Sequence, residues 1–367
     1  MSNLIKQPGA YSLAEILSQP ERWSACLTML REKRILESVS ERFGGQIEWL
    51  FIGCGSSYYI ALSAAATMTA LGGRRARAVP ASEVLLYPDL TLTRNCMPVL
   101  ISRSGRTSEV LQAAELLKSR AVPTLAISCS SGQPLEALAD LTIVLPAADE
   151  QSTVMTRSFS SMLLTLQTVA ATLAENSTFP DSLPRLFTEA ASALRPLPER
   201  IQDFVTTHDF ADYVSLGQGP FYGLACECAL KVTEMSVSYA QSFHTLEFRH
   251  GPKSIVGPET LVVFLLSESG YEAECDVLEE MKALGGTTLV VANRATARAR
   301  AAADLLVELS LDVPELARLA PSLFAGQLLG LFTGLKKGLD PDSPRNLSRV
   351  VVLNKGMSAQ EPEHAAL

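Results

Sequence analysis

Charge is in short supply in this chain. Of its 367 residues only 19% are Asp, Glu, Lys or Arg, and acids outnumber bases 39 to 31, for a formal net charge of −8. Nucleic acids are bound largely by counterion release onto a basic surface, so a general nucleic-acid partner is excluded. Any anionic substrate must be held by local donors. Long apolar runs are also missing: none reaches the ~20 residues of a membrane span. The opening MSNLIKQPGAYSL has no basic segment leading into an apolar core, as a secretory leader would. The expectation is a cytoplasmic protein with no membrane partner. Seven cysteines, odd in number and scattered through apolar stretches, fit small core residues in a reducing compartment. Cys226 and Cys228, the one close pair, would point in different directions on a helix, which argues against a metal or redox site. Neither Gly53-x-Gly55 nor Gly217-x-Gly219 has glycine at the sixth position. Both fit a tight strand-to-helix turn, and no nicotinamide cofactor is expected.

What the chain does have is hydrophobic patterning, 47% of residues, enough for two domain-sized cores. Residues 1–45 read as helices packed against the first domain, with Ser12 capping Leu13 onward and helical spacing from Trp23 to Ile35. Short apolar runs then alternate with helical patterns such as Ser108 to Lys118: EWLFIG (48–53), PVLIS (98–102), PTLAIS (123–128) and LTIVLP (141–146). That alternation predicts an α/β fold, a three-layer αβα sandwich with a parallel sheet flanked by helices.

The pattern then repeats. Gly217 stands 164 residues after Gly53 (217 − 53), and Ala303-Asp304-Leu305 stands 164 after Ala139-Asp140-Leu141 (303 − 139). Ser267-Glu268-Ser269-Gly270 follows Ser102-Arg103-Ser104-Gly105 at 165 (267 − 102). Three unlike landmarks at one offset read as two copies of one unit. The expected boundaries are a first domain over 46–190, a second over 205–350 and a tail over 351–367. The join falls between Phe179 and Gln202, where Pro180, Pro184, Pro196 and Pro198 interrupt a helical segment.

The copies differ in chemistry. In the second, a helix from Tyr222 to Ser236 would set Glu227, Lys231 and Glu234 on one stripe among apolar residues. Buried charge is costly unless paired or used. A turn, Arg249-His250-Gly251-Pro252, follows, and a carboxylate with a histidine suggests proton transfer. In the first copy, Ser102-Arg103-Ser104-Gly105-Arg106-Thr107-Ser108 brings hydroxyls and N–H groups to the start of a helix, a cradle for an anion. Ser56 and Ser57 supply more hydroxyls at another strand end. The competing readings are helix capping by Thr107 or Ser108, an internal Lys231–Glu234 pair, and a satisfied turn histidine at 250. His244 reads as structural, and His208 and His364 are assigned nothing. Glutamates 268 and 272 in the second copy would repel a phosphate, so binding is assigned to copy one and acid–base chemistry to copy two.

Six motifs in order, CGSSY (54–58), ISRSGRTSE (101–109), TRSF (156–159), LACECALKVTE (224–234), EFRHGPKS (247–254) and DSPRNLSR (342–349), resemble the double sugar-isomerase (SIS) domain family. The chain is similar to the isomerase half of glucosamine-6-phosphate synthase, and more so to the galactosamine-6-phosphate deaminase/isomerase branch, also called tagatose-6-phosphate ketose/aldose isomerase. The resemblance implies a phosphosugar substrate, a hexose or aminohexose 6-phosphate, isomerised with or without loss of ammonia. It implies phosphate-binding hydroxyls at Ser57, Ser102, Ser104 and Thr107, with Ser56 beside them, Thr153 near the sugar, and Ser348 and Arg349 at the C-terminal motif. Glu234 matches the base acting between C1 and C2, Lys231 lies at the same pocket with Glu227 in support, and His250 matches the histidine that assists ring opening. In the synthase that histidine comes from the neighbouring subunit, implying a homodimer with a shared active site. No metal or cofactor is implied.

Two departures stand out. Arg103 replaces a glutamine, which would add charge to the phosphate site. Arg349 replaces a lysine, and arginine does not deprotonate near neutral pH, so a Schiff base at 349 is excluded. No cysteine follows Met1, so a glutaminase module is not expected and ammonia would be free. A deglycase of phosphorylated sugar–amine adducts and a non-catalytic phosphosugar-binding regulator are the alternatives.

Overall fold

The computed structural model describes residues 7–353. Ten strands form two five-stranded parallel sheets. The first contains β1 (Glu48–Gly53), β2 (Arg75–Pro80), β3 (Cys96–Ile101), β4 (Leu125–Ser128) and β5 (Leu141–Val144), in the order β2-β1-β3-β4-β5. The second contains β6 (Asp212–Gly217), β7 (Ala240–His244), β8 (Thr260–Leu265), β9 (Thr287–Ala292) and β10 (Leu305–Glu308), in the order β10-β9-β8-β6-β7. Read from the other edge, the second order repeats the first. Four strands of the first sheet came from apolar runs; β2, with Arg75 and Arg77, is a polar edge strand that such runs do not reveal.

Equivalent positions make equivalent bonds. Asp140 accepts from the Thr124 N–H at 2.7 Å, and Asp304 accepts from the Thr288 N–H at 2.8 Å. These carboxylates tie each fifth strand to the fourth. Gly53 and Gly217 each face backbone so closely that a Cβ would lie 2.5 and 2.4 Å from the following turn. The strands keep an offset of 164 (Ile101 pairs Ile127, Leu265 pairs Val291), so the serine landmark at 165 marks one extra residue in the second loop.

Alternation along the strands sorts the cores. Trp49 and Phe51 face a large central core, whereas Leu50 and Ile52 face the helices Ala81–Leu86 and Ser108–Ser119 on the outside. Val214, Leu216, Val262 and Phe264 do the same against the helix Tyr271–Ala283. The central core is common to both units, because the helices Ser56–Gly72 and Tyr222–Ser236, themselves equivalent, pack on each other. A Cβ on Gly223 would lie 2.5 Å from the Tyr59 carbonyl oxygen, so glycine permits the approach.

Three expectations are corrected. The first helix starts at Ala10, not after Ser12, because its N–H groups find acceptors from the far end of the chain. Asp342 accepts from Tyr11 N at 3.0 Å and Ser12 N at 2.7 Å, and Asp340 accepts from Gly9 N at 2.9 Å. The next helix does not pack on the first unit alone: Trp23 donates to Ser160 Oγ at 2.8 Å and stacks on Phe324 of the second unit. The helical run Glu315–Lys336 is also long and apolar enough to span a membrane by length and composition, contrary to the reading of the sequence. It is 94% buried in the protein, as a core helix is. Its glycines 326, 330 and 334 lie against Cys228, Lys231 and Met235; a Cβ at Gly330 would be 2.6 Å from the Lys231 carbonyl oxygen. The tail beyond Leu353 lies outside the described residues.

Candidate active site

Strand order places the site. The chain leaves β1 towards β2 on one side while β3 lies on the other, so the crevice beyond the carboxyl ends of β1 and β3 is the switch point where open α/β sheets bind ligands. Ser56 and Ser57 open the helix after β1, and Ser102 to Thr107 follow β3. Gly55, at φ 54° and ψ −128°, holds the first turn in a conformation other residues resist.

Thr107 does not cap its helix. It makes no side-chain cap bond; its hydroxyl lies 3.0 Å from Ser102 Oγ. Ser104 Oγ accepts from the Arg106 N–H at 3.2 Å. Ser108 is bound to the C-terminal segment instead, its N–H donating to the Val351 carbonyl at 3.3 Å and its Oγ accepting from Leu353 N at 2.9 Å. The hydroxyls of Ser102 and Thr107 therefore face each other and not the helix end.

Arg103 does not lend its charge to that loop. Its guanidinium is buried, pairs with Glu150 at 3.4 Å, and donates to the carbonyls of Thr153 at 3.0 Å and Arg349 at 2.9 Å. It ties the segment 150–154 to the C-terminal segment. Glu150, which the sequence reading passed over, also accepts from Thr156 N at 2.6 Å and Thr156 Oγ1 at 2.8 Å. The threonine and serine six and eight residues after it were the available signal. The Arg349 side chain pairs with Asp149 at 2.7 Å, and Ser348 Oγ donates to the Val350 carbonyl. Thr153 is held through its backbone, between Arg103 and the Asp342 carbonyl.

The second copy supplies the charges. On the helix Tyr222–Ser236, Lys231 is fully buried between Glu227 at 3.3 Å and Glu234, with which it also bonds. Ser56 Oγ donates to Glu227 Oε1 at 3.1 Å and lies 3.5 Å from Lys231 Nζ. The acid–base stripe of one copy thus touches the first helical turn of the other. Burial pushes the Glu227 carboxyl up to about 8, and Glu234 adds to this while Lys231 opposes it. For Lys231 burial alone would push the pKa down, but the two carboxylates more than offset it and hold the ammonium charged. Glu234 differs from both: its side chain keeps 18% exposure, the open end of the triad.

His250 sits on an exposed turn, and no hydrogen bond to its ring appears among the described residues. His244 is stacked on Tyr222 with ring centroids 3.8 Å apart, and burial lowers its pKa, in keeping with a structural role. Cys226 accepts from Ser242 while Cys228 abuts Gly326, so the pair points to different neighbours. In the second copy, Ser267 is fully engaged: its N–H and Oγ both bond Glu274, each at 2.7 Å. The glutamate that closes this loop is Glu274, not Glu268 or Glu272.

Comparison with known proteins agrees with this architecture. The model of the SIS domain matches residues 48–173 and 213–328. A glutamine–fructose-6-phosphate aminotransferase (isomerizing) of Pyrobaculum aerophilum is 27% identical over 361 residues, covering 94% of this chain and 57% of that protein. The chain spans about half the length of the curated relatives it matches. The crystal structure of glucosamine-6-phosphate deaminase from Thermotoga maritima superposes with a TM-score of 0.73 at 29% identity, over 94% of this chain and 100% of that one. Tagatose-6-phosphate ketose/aldose isomerase from Escherichia coli shares the fold, with a TM-score of 0.82 at 22% identity, over 96% and 100% of the two chains. With two matched regions, one on each sheet, the chain belongs to the SIS domain family.

Proposed function

We propose that the protein isomerises a hexose or aminohexose 6-phosphate by moving a proton between C2 and C1, with release of ammonia when C2 carries an amine. The observation that carries this reading is the buried Glu227–Lys231–Glu234 triad with one accessible carboxylate, set against the hydroxyl-lined turn of the other copy.

The phosphate is held by Ser57, Ser102, Ser104 and Thr107 at the β1/β3 crevice, which fixes the register of the sugar chain. Glu234 takes the proton from C2 of the open-chain sugar and returns it to C1. Lys231, held charged, stabilises negative charge developing on the substituents of C1 and C2. For an aminoaldose, the product of that transfer is a C2 imine, and water converts it to the ketose and ammonia. Arg349 cannot form an imine itself. His250, on its exposed turn, assists ring opening in the site of a second subunit, which makes the working unit a homodimer. The first domain (46–190) binds and the second (205–350) performs the chemistry.

The relatives named above motivate the panel for the test. The protein is incubated with glucosamine, galactosamine and tagatose 6-phosphates while ammonia and ketose/aldose exchange are followed. Turnover of one or more, lost in Glu234→Gln, is expected. Binding of these sugars without turnover would replace the enzyme with a phosphosugar-binding regulator.

A further inference from the structure

The turn that carries His250 has an anchor of its own. Two short 3₁₀ turns, Glu247–Arg249 and Pro252–Ile255, flank Gly251, whose φ of 121° is open to glycine and strained for other residues. Inside the turn the His250 N–H donates to the Glu247 carbonyl and the Ser254 N–H to the Gly251 carbonyl, both at 3.0 Å. These local bonds set the shape of the loop but not its place on the protein.

Its place is set by Phe248, fully buried in the core of the second unit, and by one carboxylate. Arg249, just before His250, donates from Nε to Glu280 Oε2 at 2.8 Å, and Lys253, three residues after it, donates to Glu280 Oε1. Glu280 projects from the helix Tyr271–Ala283. The neighbouring acids Asp276 and Glu279 are engaged elsewhere, both by Arg298. A single ion pair at this exposure would contribute little. Here the two oxygens hold cations on either side of His250 in the sequence, so the turn is tied to the helix at two points. A charge-assisted pair of bonds with that geometry is stronger than its members alone.

We infer that Glu280 is a positioning residue for His250, acting through Arg249 and Lys253. The inference rests on the role proposed above for His250.

The test uses the full chain as Glu280→Gln, His250→Gln and the double variant, assayed with glucosamine, galactosamine and tagatose 6-phosphates. Hydrogen exchange across 247–255 is measured alongside. Glu280→Gln is expected to lower kcat about tenfold while KM stays within about twofold, since a misplaced group costs rate more than binding. Exchange at the His250 and Ser254 amides should speed up. In the His250→Gln background the same change should cost less than about twofold, because the two residues act as one unit. Multiplying costs in the double variant, or unchanged exchange in Glu280→Gln, would overturn the inference while leaving the activity in place. Full activity in His250→Gln alone would remove the role of His250, and the inference with it.

Discussion

The two sheets end in loops of common origin, and one is open while the other is filled from within. After β3, the hydroxyls of Ser102 and Thr107 lie 3.0 Å apart with no carboxylate among their bonds. After β8, the Ser267 N–H and Oγ close on Glu274, whose own pKa is raised by burial. One duplicated loop thus stays clear of carboxylates among the described residues while the other is closed by an internal bond. The charged helix shows the opposite trend: at the same offset of 164, copy one carries Ser63, Thr67 and Ala70 where copy two carries Glu227, Lys231 and Glu234. On the function proposed above, duplication separated holding a substrate from reacting with it.

That division can be broken at either end. The largest effect is expected from Glu234→Gln, which removes the accessible carboxylate and should lower kcat by about 10²–10⁴-fold with the fold intact. Steady-state kinetics on the panel above decide it, and full activity would leave copy two without its chemistry. Next comes the open loop. Ser102→Ala with Thr107→Val should raise KM about tenfold or more and leave kcat nearly unchanged, as loss of uniform binding does. The matched change in the filled loop, Ser267→Ala, should do the reverse: kinetics unchanged, and unfolding free energy in urea lower by about 1–2 kcal/mol for the lost buried bond. A rise in KM from Ser267→Ala would erase the distinction between the loops.

The smallest effect concerns pH. The folded protein holds the Glu227 proton up to about pH 8, against an ordinary value of 4.5. Between those values the folded state binds more protons than the unfolded chain, so this group's stabilising effect is complete below about 4.5 and is lost as pH rises towards 8. Glu227→Gln should flatten the fall of Tm across that window and keep neutral-pH activity. A Tm profile identical to that of the parent would place the proton elsewhere in the triad.

Much of this was legible in the sequence because it rests on spacing. Helical periodicity placed Glu227, Lys231 and Glu234 on one stripe, and the offset of 164 exposed the duplication before any strand was seen. Strands rich in Val, Ile and Leu announced a parallel sheet. What could not be read were pairings between distant residues. Arg103 looked like an addition to the phosphate site because its neighbours in sequence are serines, yet its partners are Glu150, Thr153 and Arg349. Ser12 looked like a cap because nothing nearby in sequence hints at Asp342. Glu274 escaped notice because a buried carboxylate that closes on a serine seven residues before it looks, in one dimension, like any other surface acid.

The glycines at 326, 330 and 334 add a mechanical consequence. Where two helices meet through side chains, a push on one can be absorbed by rotamer changes in the layer between them. At Gly330 and Gly334 the backbone of one helix lies against the backbone of the other, at the turns that carry Lys231 and Met235. No side chain of the glycine helix lies between them at those two turns. Lys231 is therefore carried on a contact with little give, and adjustment to substrates of different shape falls to the loops facing it.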